Sequence, residues 1–297
     1  MLKNLYSNDY TLVELLVATA ARYIRDGDVV FVGVGIPGLA AGLAKLTHAP
    51  NLTMAMESGG IGSQPYRVVL GIGDNACVEN SICNTSLWRL FSDQQRGFFD
   101  LGMVGGAQVD KYGNVNSTVI MGDGSYALPE ARLPGSGGAN DIASSANETL
   151  VLINMQKRRF LEKVDYITSP GYLEGFDSRE KAGLLGGGPK AIITDKCILK
   201  FDSVTKEAYV ASIHPGVEIA DIKSSVSWNI KVSENVEETQ PPTEDQVSIT
   251  RALDPEGIYL CGGLKDLTFE KYIEMLEKSQ EVLKQAFMCR LYNGGEG

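Results

Sequence analysis

Between residues 11 and 56 the apolar positions change period twice. Thr11-Leu12-Val13-Glu14 has the spacing of a capping box, in which Thr and Glu satisfy the free N–H groups at a helix start. Leu12, Leu15, Leu16, Thr19, Tyr23 and Ile24 then recur at helical spacing, and Gly27 is suited to stop the helix. Asp28 to Val32 shortens the period to a continuous apolar run, as in a strand buried on both faces. Gly33-Val34-Gly35-Ile36-Pro37-Gly38 interrupts it, and an alanine- and leucine-rich helix is predicted through Lys45. Asn51 to Met56 is the next predicted strand. A strand–turn–helix–strand run of this kind implies an α/β fold on a parallel sheet.

Further along, Cys77 to Leu90 has no clean period. Leu101 to Gln108 is a small-residue segment, Val109 to Asn114 a tight turn with Gly113 at its positive-φ position, and Val115 to Ile120 a short strand. Residues 122–140 read as loop, closing on the glycine-rich Pro134–Asp141 ahead of a helix at Ile142. Thr149 to Asn154, Ala191 to Thr194, Ile198 to Phe201 and Ala208 to Ile213 are strand-like. The last two are joined by a polar turn near Ser203–Lys206, as in an antiparallel edge on a mostly parallel sheet. From Ser224 the chain turns acidic and proline-containing. The predicted division is one α/β domain over 1–223, a linker and irregular segment over 224–262, and a C-terminal helix and tail over 263–297. In that helix Asp266 is the cap, and Phe269, Ile273, Leu276, Leu283 and Phe287 share one face.

Composition narrows the function. A net charge of −10 opposes a nucleic-acid surface, which needs a basic field. No apolar run approaches the roughly 18–20 residues of a membrane span. Asn4, Asn8, Asp9 and Glu14 interrupt any signal-peptide pattern, so a cytoplasmic location is expected. The five cysteines are scattered without CxxC spacing and read as reduced thiols. Glycine makes up 33 of 297 residues, about 11%, against a usual share of about 7%. The glycines cluster, so the backbone must turn sharply or pass close to something at several places.

One acid stands out. Met54-Ala55-Met56-Glu57-Ser58-Gly59-Gly60 places Glu57 at the carboxyl edge of a buried strand, where ligands bind in open α/β sheets. Gly33-x-Gly35-x-x-Gly38 with Glu57 following (57 − 38 = 19 positions) also has the spacing of a dinucleotide fingerprint. Ser58-Gly59-Gly60, however, lets a large group approach the carboxylate more closely than a ribose ligand requires. Gly135 to Ala139 offers successive free N–H groups, a nest for a developing oxyanion or else a tight crossover. Lys157-Arg158-Arg159 is a basic run, either a solvated face or an anion contact. His48 and His214 lie in no nucleophile motif, GxSxG is absent, and no HExxH, EF-hand, Cys/His cluster or P-loop suggests a metal or nucleotide. A carboxylate at a strand edge with two N–H-bearing loops suits acyl transfer through a carboxylate nucleophile, without a metal.

Several segments carry a resemblance. They are Val34-Gly35-Ile36-Pro37, Glu57-Ser58-Gly59, Gly105 to Asp110 with Gly113 to Thr118, Gly135 to Asn140, Lys157 to Phe160, and Asp165-Tyr166 with Thr168 to Gly171. In this order and spacing the chain resembles the β subunit of family I CoA-transferases, of the glutaconate CoA-transferase type, from about residue 10 to about residue 215. The resemblance implies a three-layer α/β/α open sheet of the NagB/RpiA/CoA-transferase-like kind. It implies that Glu57 is the catalytic glutamate, passing through a mixed anhydride to a glutamyl-CoA thioester with ping-pong kinetics. Gly138 corresponds to the backbone N–H of the oxyanion hole. Ser58, Gly59, Gln64, Gly137, Ala139 and Asn140 are the expected substrate and CoA contacts, and specificity is expected to depend on side chains near Gln64 and Arg67 and on the partner subunit. Coenzyme A is a substrate, with no permanently bound cofactor. An α subunit is implied, in a hetero-oligomer of repeated αβ pairs that acts on an acyl-CoA and a carboxylic acid. Gly33 to Gly38 is then a structural turn. Relatives on this scaffold also decarboxylate acyl-CoA acids or hydrolyse a carbon ring. Those replace the glutamate, whereas in such chemistry a retained Glu57 would act as a base.

Overall fold

The computed structural model describes residues 5–65, 67–261, 268–271, 273–274 and 277. The predicted N-terminal run is present as α1 (Leu12–Ala21), β1 (Val29–Val32), α2 (Ile36–Leu46) and β2 (Thr53–Met56). Then follow β3 (Gly60–Ile61), β4 (Cys83–Asn84), α3 (Leu87–Gln95), β5 (Leu101–Val104), β6 (Gln108–Asp110), β7 (Val115–Asn116), β8 (Val119–Ile120) and β9 (Ala131–Arg132). The second half holds α4 (Ala139–Ser145), β10 (Glu148–Leu152), β11 (Phe160–Leu161), α5 (Ser178–Lys181), β12 (Pro189–Ile193), β13 (Cys197–Phe201), β14 (Ala208–Ile213), α6 (Ile219–Ser224), β15 (Lys231–Glu238) and α7 (Glu244–Leu253).

Ten strands form one mixed sheet in the order β15-β14-β13-β12-β10-β5-β1-β2-β3-β4. The run from β12 to β2 is parallel. Antiparallel strands extend it at both ends, with β13 and β14 on one side and β3 and β4 on the other. Alternation along each strand divides the core between the two faces. Val30, Val32, Met54 and Met56 pack with Leu16, Val17, Leu39 and Leu43 of α1 and α2. Phe31, Ala55 and Val151 pack with Leu90 of α3, Ile142 of α4 and Ile222 of α6 on the opposite face. This is the expected three-layer α/β/α open sheet.

The capping box is formed: Glu14 N–H donates to Thr11 Oγ1 at 3.2 Å, and Thr11 N–H to Glu14 Oε2 at 2.7 Å. The helix nevertheless ends at Ala21, so Tyr23 and Ile24 lie in the following turn. The Arg22 side chain there donates to the carbonyls of Gln240 and Pro241, at 2.6 and 2.7 Å. Gly27, at φ +87, closes a later turn instead of the helix. The predicted strand over Val115 to Ile120 is two short strands, β7 and β8.

Residues 231–253 differ from the linker their composition suggests. β15 adds to β14 in parallel as the edge strand. Its Val232 and Val236 pack inward while Glu234, Glu237 and Glu238 face solvent. Charged residues along an exposed edge discourage pairing with other chains, and they resemble a linker when read as composition. Thr243 opens α7 with a second capping box. α7 docks on α1 through Arg251, whose Nε donates to Glu14 Oε1 at 2.6 Å. In the predicted C-terminal helix, residues 269–271, 273–274 and 277 are helical. Asp266, Leu276, Leu283 and Phe287 lie outside the described residues.

Candidate active site

Glu57 is the first residue after β2, in a turn that brings the chain back antiparallel as β3. Gly59 N–H donates to the Met56 carbonyl at 2.8 Å, and Ala55 pairs with Ile61. Glycine at 59 is required twice over. Its φ is +111, and a Cβ there would lie 1.9 Å from the Thr85 carbonyl oxygen. Thr85 N–H donates in turn to the Gly59 carbonyl at 2.9 Å. The turn is therefore pinned from behind by the β4 segment, and the acid projects from a fixed backbone.

The partner of Glu57 comes from the second glycine loop. Gly135 N–H donates to the Ser117 carbonyl at 2.9 Å, Ser117 Oγ donates to the Gly135 carbonyl at 2.8 Å, and Ala139 N–H bonds the Ser136 carbonyl at 2.9 Å. This bracing leaves Gly138 as the N-cap of α4, with its backbone close beside the Glu57 carboxylate. Burial pushes the half-buried Glu57 carboxyl above its usual range, and the Gly138 N–H offsets part of that. Gly138 itself has an ordinary φ of −86, so its lack of a side chain has a spatial cause. A Cβ would lie 2.3 Å from Phe91 Cζ and 3.1 Å from Glu57 Oε1.

The long segment Gly105–Thr118 serves as the frame of this loop. Asn116 Nδ2 donates to Gln108 Oε1 at 2.7 Å and to the Val119 carbonyl at 2.6 Å, and the Thr168 hydroxyl accepts from Ser117 N–H at 2.9 Å. Asp110 accepts from Asn114 Nδ2, and Asn114 bonds the carbonyl of Leu173 and the N–H groups of Gly171 and Leu173. Burial pushes the Asp110 carboxyl up to about 6. Behind α4, the buried Arg179 donates to the carbonyls of Gly186, Pro170, Gly171, Ala143 and Ser144 at 2.7–3.2 Å. A guanidinium fork is suited to gathering carbonyls from three segments at once.

The other expected contacts are spread more widely. Gly137 is exposed at φ +50 with open space around it, and Ala139 packs on the α3/α4 face of the core. Asn140 lies in the first turn of α4, its carbonyl accepting from Ser144 Oγ at 2.6 Å. The Ser58 hydroxyl is buried against the Cys77 thiol. Gln64 is exposed and lines a cavity of about 330 Å³ with Gly33, Gly35, Met54, Met56, Arg67 and Leu253. Met54 and Met56 belong to the α1/α2 face, across the sheet from Phe31 and Phe91, and neither Glu57 nor Gly138 is among the residues lining this cavity. Arg67 there is paired with Asp74, Nη1 donating to Oδ2 at 2.6 Å. In the basic run, Lys157 and Arg158 are exposed in a turn and Arg159 is half-buried. Among the described residues, no three His, Cys, Asp or Glu side chains gather as a metal site needs, and no helix is long and apolar enough to cross a membrane.

Sequence reasoning missed Phe91. The signal was present: Ser86 as a cap, then apolar Leu87, Leu90 and Phe91 at helical spacing. Gln94 stands where the next apolar residue would complete the stripe, and it hides the period.

Residues 13–225 match the coenzyme A transferase family. The chain belongs to that family. It is 42% identical over 246 residues to the B-type subunit of 3-oxoadipate CoA-transferase from Pseudomonas knackmussii, covering 82% of this chain and 94% of the relative. It is 38% identical over 256 residues to the B-type subunit of glutaconate CoA-transferase from Acidaminococcus fermentans, covering 84% and 94%. The crystal structure of the latter enzyme superposes with a TM-score of 0.79 over 86% of this chain and 98% of that one, at 36% identity. The decarboxylase AibA/AibB superposes with a TM-score of 0.73 at 26% identity, over 86% and 99%. The chain is thus a CoA-transferase of the β-subunit type, and its turn at Gly33–Gly38 opens α2 as part of that scaffold.

Proposed function

We propose that this chain is the β-type half of an enzyme that moves CoA between an acyl-CoA and a carboxylic acid through a covalent glutamyl-CoA thioester on Glu57. The observation that carries the reading is the half-buried Glu57 carboxylate set beside Gly138 at the N-terminus of α4. A carboxylate relieved of part of its water is a better nucleophile, and a fixed N–H beside it stabilises charge without reorganising.

The chemistry balances with no other reagent. A Glu57 oxygen adds to the thioester carbonyl, the CoA thiolate leaves, and a mixed anhydride remains. The thiolate then adds to the Glu57 carbonyl carbon, expelling the first carboxylate and leaving the thioester on Glu57. The acceptor acid runs the same steps in reverse. With Gly138 beside the Glu57 oxygen, the oxyanion its N–H would serve is the one that develops on the Glu57 carboxyl carbon itself. Gly59, Gly137, Ala139 and Asn140 lie within two residues of this pair along the chain, while Gln64 lines the neighbouring cavity.

The named relatives are B-type subunits, which supports an α-type partner and a hetero-oligomer for this chain too. A cytoplasmic location fits a chain whose substrates are acyl-CoA esters. Half-reaction exchange tests the proposal. The chain with its α-type partner, given an acyl-CoA and the matching labelled acid but no second acid, is expected to place label in the acyl-CoA. The likeness to a decarboxylase supports a second reading, with Glu57 as a base. That reading predicts loss of carbon dioxide or ring opening with no exchange.

A further inference from the structure

Glu57 and Gly138 lie 138 − 57 = 81 positions apart in the chain, and something must hold one against the other. α3 lies beside both. Its Leu90 is fully buried, and Gln95 Nε2 donates to Asp141 Oδ1 at 2.8 Å, which fastens the end of α3 to the first turn of α4. Between these two anchors stands Phe91, half-buried. Its ring stacks on Phe31 with centroids 5.3 Å apart and planes 29° from parallel. Phe31 pairs in register with Ala55, two residues before Glu57. The far edge of the Phe91 ring occupies the space a side chain at 138 would need, with Cζ and Cε1 at 2.3 and 2.8 Å from that position. Glu57 Oε1 is 3.1 Å from the same point. A stack therefore runs from the floor of the sheet, through two rings, to the space beside Gly138 that the Glu57 carboxylate also borders.

Phe91 packs against the α3/α4 side of the core, but α3 contributes little else to it. α3 buries only Leu90 and Gln94, and both amide atoms of the fully buried Gln94 lack a hydrogen-bond partner. An unsatisfied buried amide opposes folding, so the helix is held here at a cost. A ring at this point does what carboxylate chemistry needs: it is apolar, rigid and bulky, and it keeps water from the face it covers.

We propose that Phe91 is a positioning residue that props the Gly138 N–H against Glu57 and shields the Glu57 acyl carbon from water. The inference rests on the reading of Glu57 as the nucleophile. Its consequence is a partition. The glutamyl thioester can pass CoA to an acid, or it can take up water to give free CoA and the Glu57 carboxylate. Phe91 holds the second path down.

The test uses the chain with its α-type partner, an acyl-CoA, and an acceptor acid. Free thiol and newly formed acyl-CoA are measured together in the parent protein, Phe91→Ala and Phe91→Leu. Phe91→Ala is expected to raise the ratio of hydrolysis to transfer about tenfold and to shift the acid limb of the pH–rate profile downward as Glu57 gains water. Phe91→Leu, which keeps apolar bulk, is expected to show smaller changes in the same direction. A merely structural Phe91 would lower both paths together and leave the limb in place. Unchanged ratio and limb in the assembled variants would overturn the proposal, and if Phe91→Ala does not assemble, Phe91→Leu decides. Absence of a covalent adduct in the parent protein would instead remove the reading of Glu57.

Discussion

The Glu57 carboxylate lies beside Gly138, its Oε1 3.1 Å from the point a Cβ at 138 would occupy, and the missing side chain of Gly138 leaves the room for it. Gly138→Ala is the sharpest probe of that geometry. An alanine accepts the backbone at φ −86, so α4 is expected to form. The added methyl would meet Phe91 and the Glu57 oxygen and part the pair. Adduct formation in single-turnover measurements is expected to fall by about 10²–10³, the usual loss on removing one oxyanion donor.

Glu57 should also make activity pH-dependent. Burial raises its pKa, so it takes up a proton at a pH where a free glutamate is still ionised. The rate of adduct formation is expected to fall as pH drops through that raised value, and the limb to be absent in steps that do not use Glu57. Stability runs the other way. A raised folded pKa contributes stability below the unfolded value of about 4.3, and that contribution is lost as pH rises. Glu57→Gln is expected to abolish transfer, to raise Tm at about pH 8 and to change it little at about pH 4.

Asp110 offers the same test away from the chemistry. Its carboxyl is pushed up to about 6, against about 3.9 unfolded. Its contribution to stability is present below the unfolded value and is lost as pH rises across that window. Asp110→Asn keeps an acceptor for the N–H groups of Tyr112 and Asn114 and removes the titration. Thermal melts between about pH 4 and 7 are expected to show the variant gaining on the parent as pH rises.

The legible parts of the fold were those with a regular period or a sharp break in it. Glu57 could be found because Met54-Ala55-Met56 is apolar and Ser58-Gly59-Gly60 is not, so one acid is left at a strand edge. The second glycine loop was legible for the same reason, although its helix begins at Ala139 and not at Ile142. β3 and β4 were not legible, since strands of two residues carry no period. β15 was hidden because an exposed edge strand and an acidic linker use the same residues. Gln64 lay close to Glu57 in sequence, yet the strand alternation sends its neighbours to the other face. Phe91 was lost to a single polar residue, Gln94, in the stripe.

Arg179 shows how much of the site is held from outside it. Arg179→Lys keeps the charge but not the fork that reaches carbonyls in three segments. Leaving several buried carbonyls without donors is expected to lower stability by about 3 kcal/mol in urea titrations. Loosening the end of α4 is also expected to weaken adduct formation before the fold is lost.

Everything proposed for the site depends on the covalent thioester on Glu57. Intact mass spectrometry of the chain, assembled with its α-type partner and incubated with an acyl-CoA but no acceptor, detects it. The expected result is a CoA adduct that maps to Glu57 and leaves when a carboxylic acid is added. An unmodified chain alongside decarboxylated or ring-opened product would contradict it and leave Glu57 as a base.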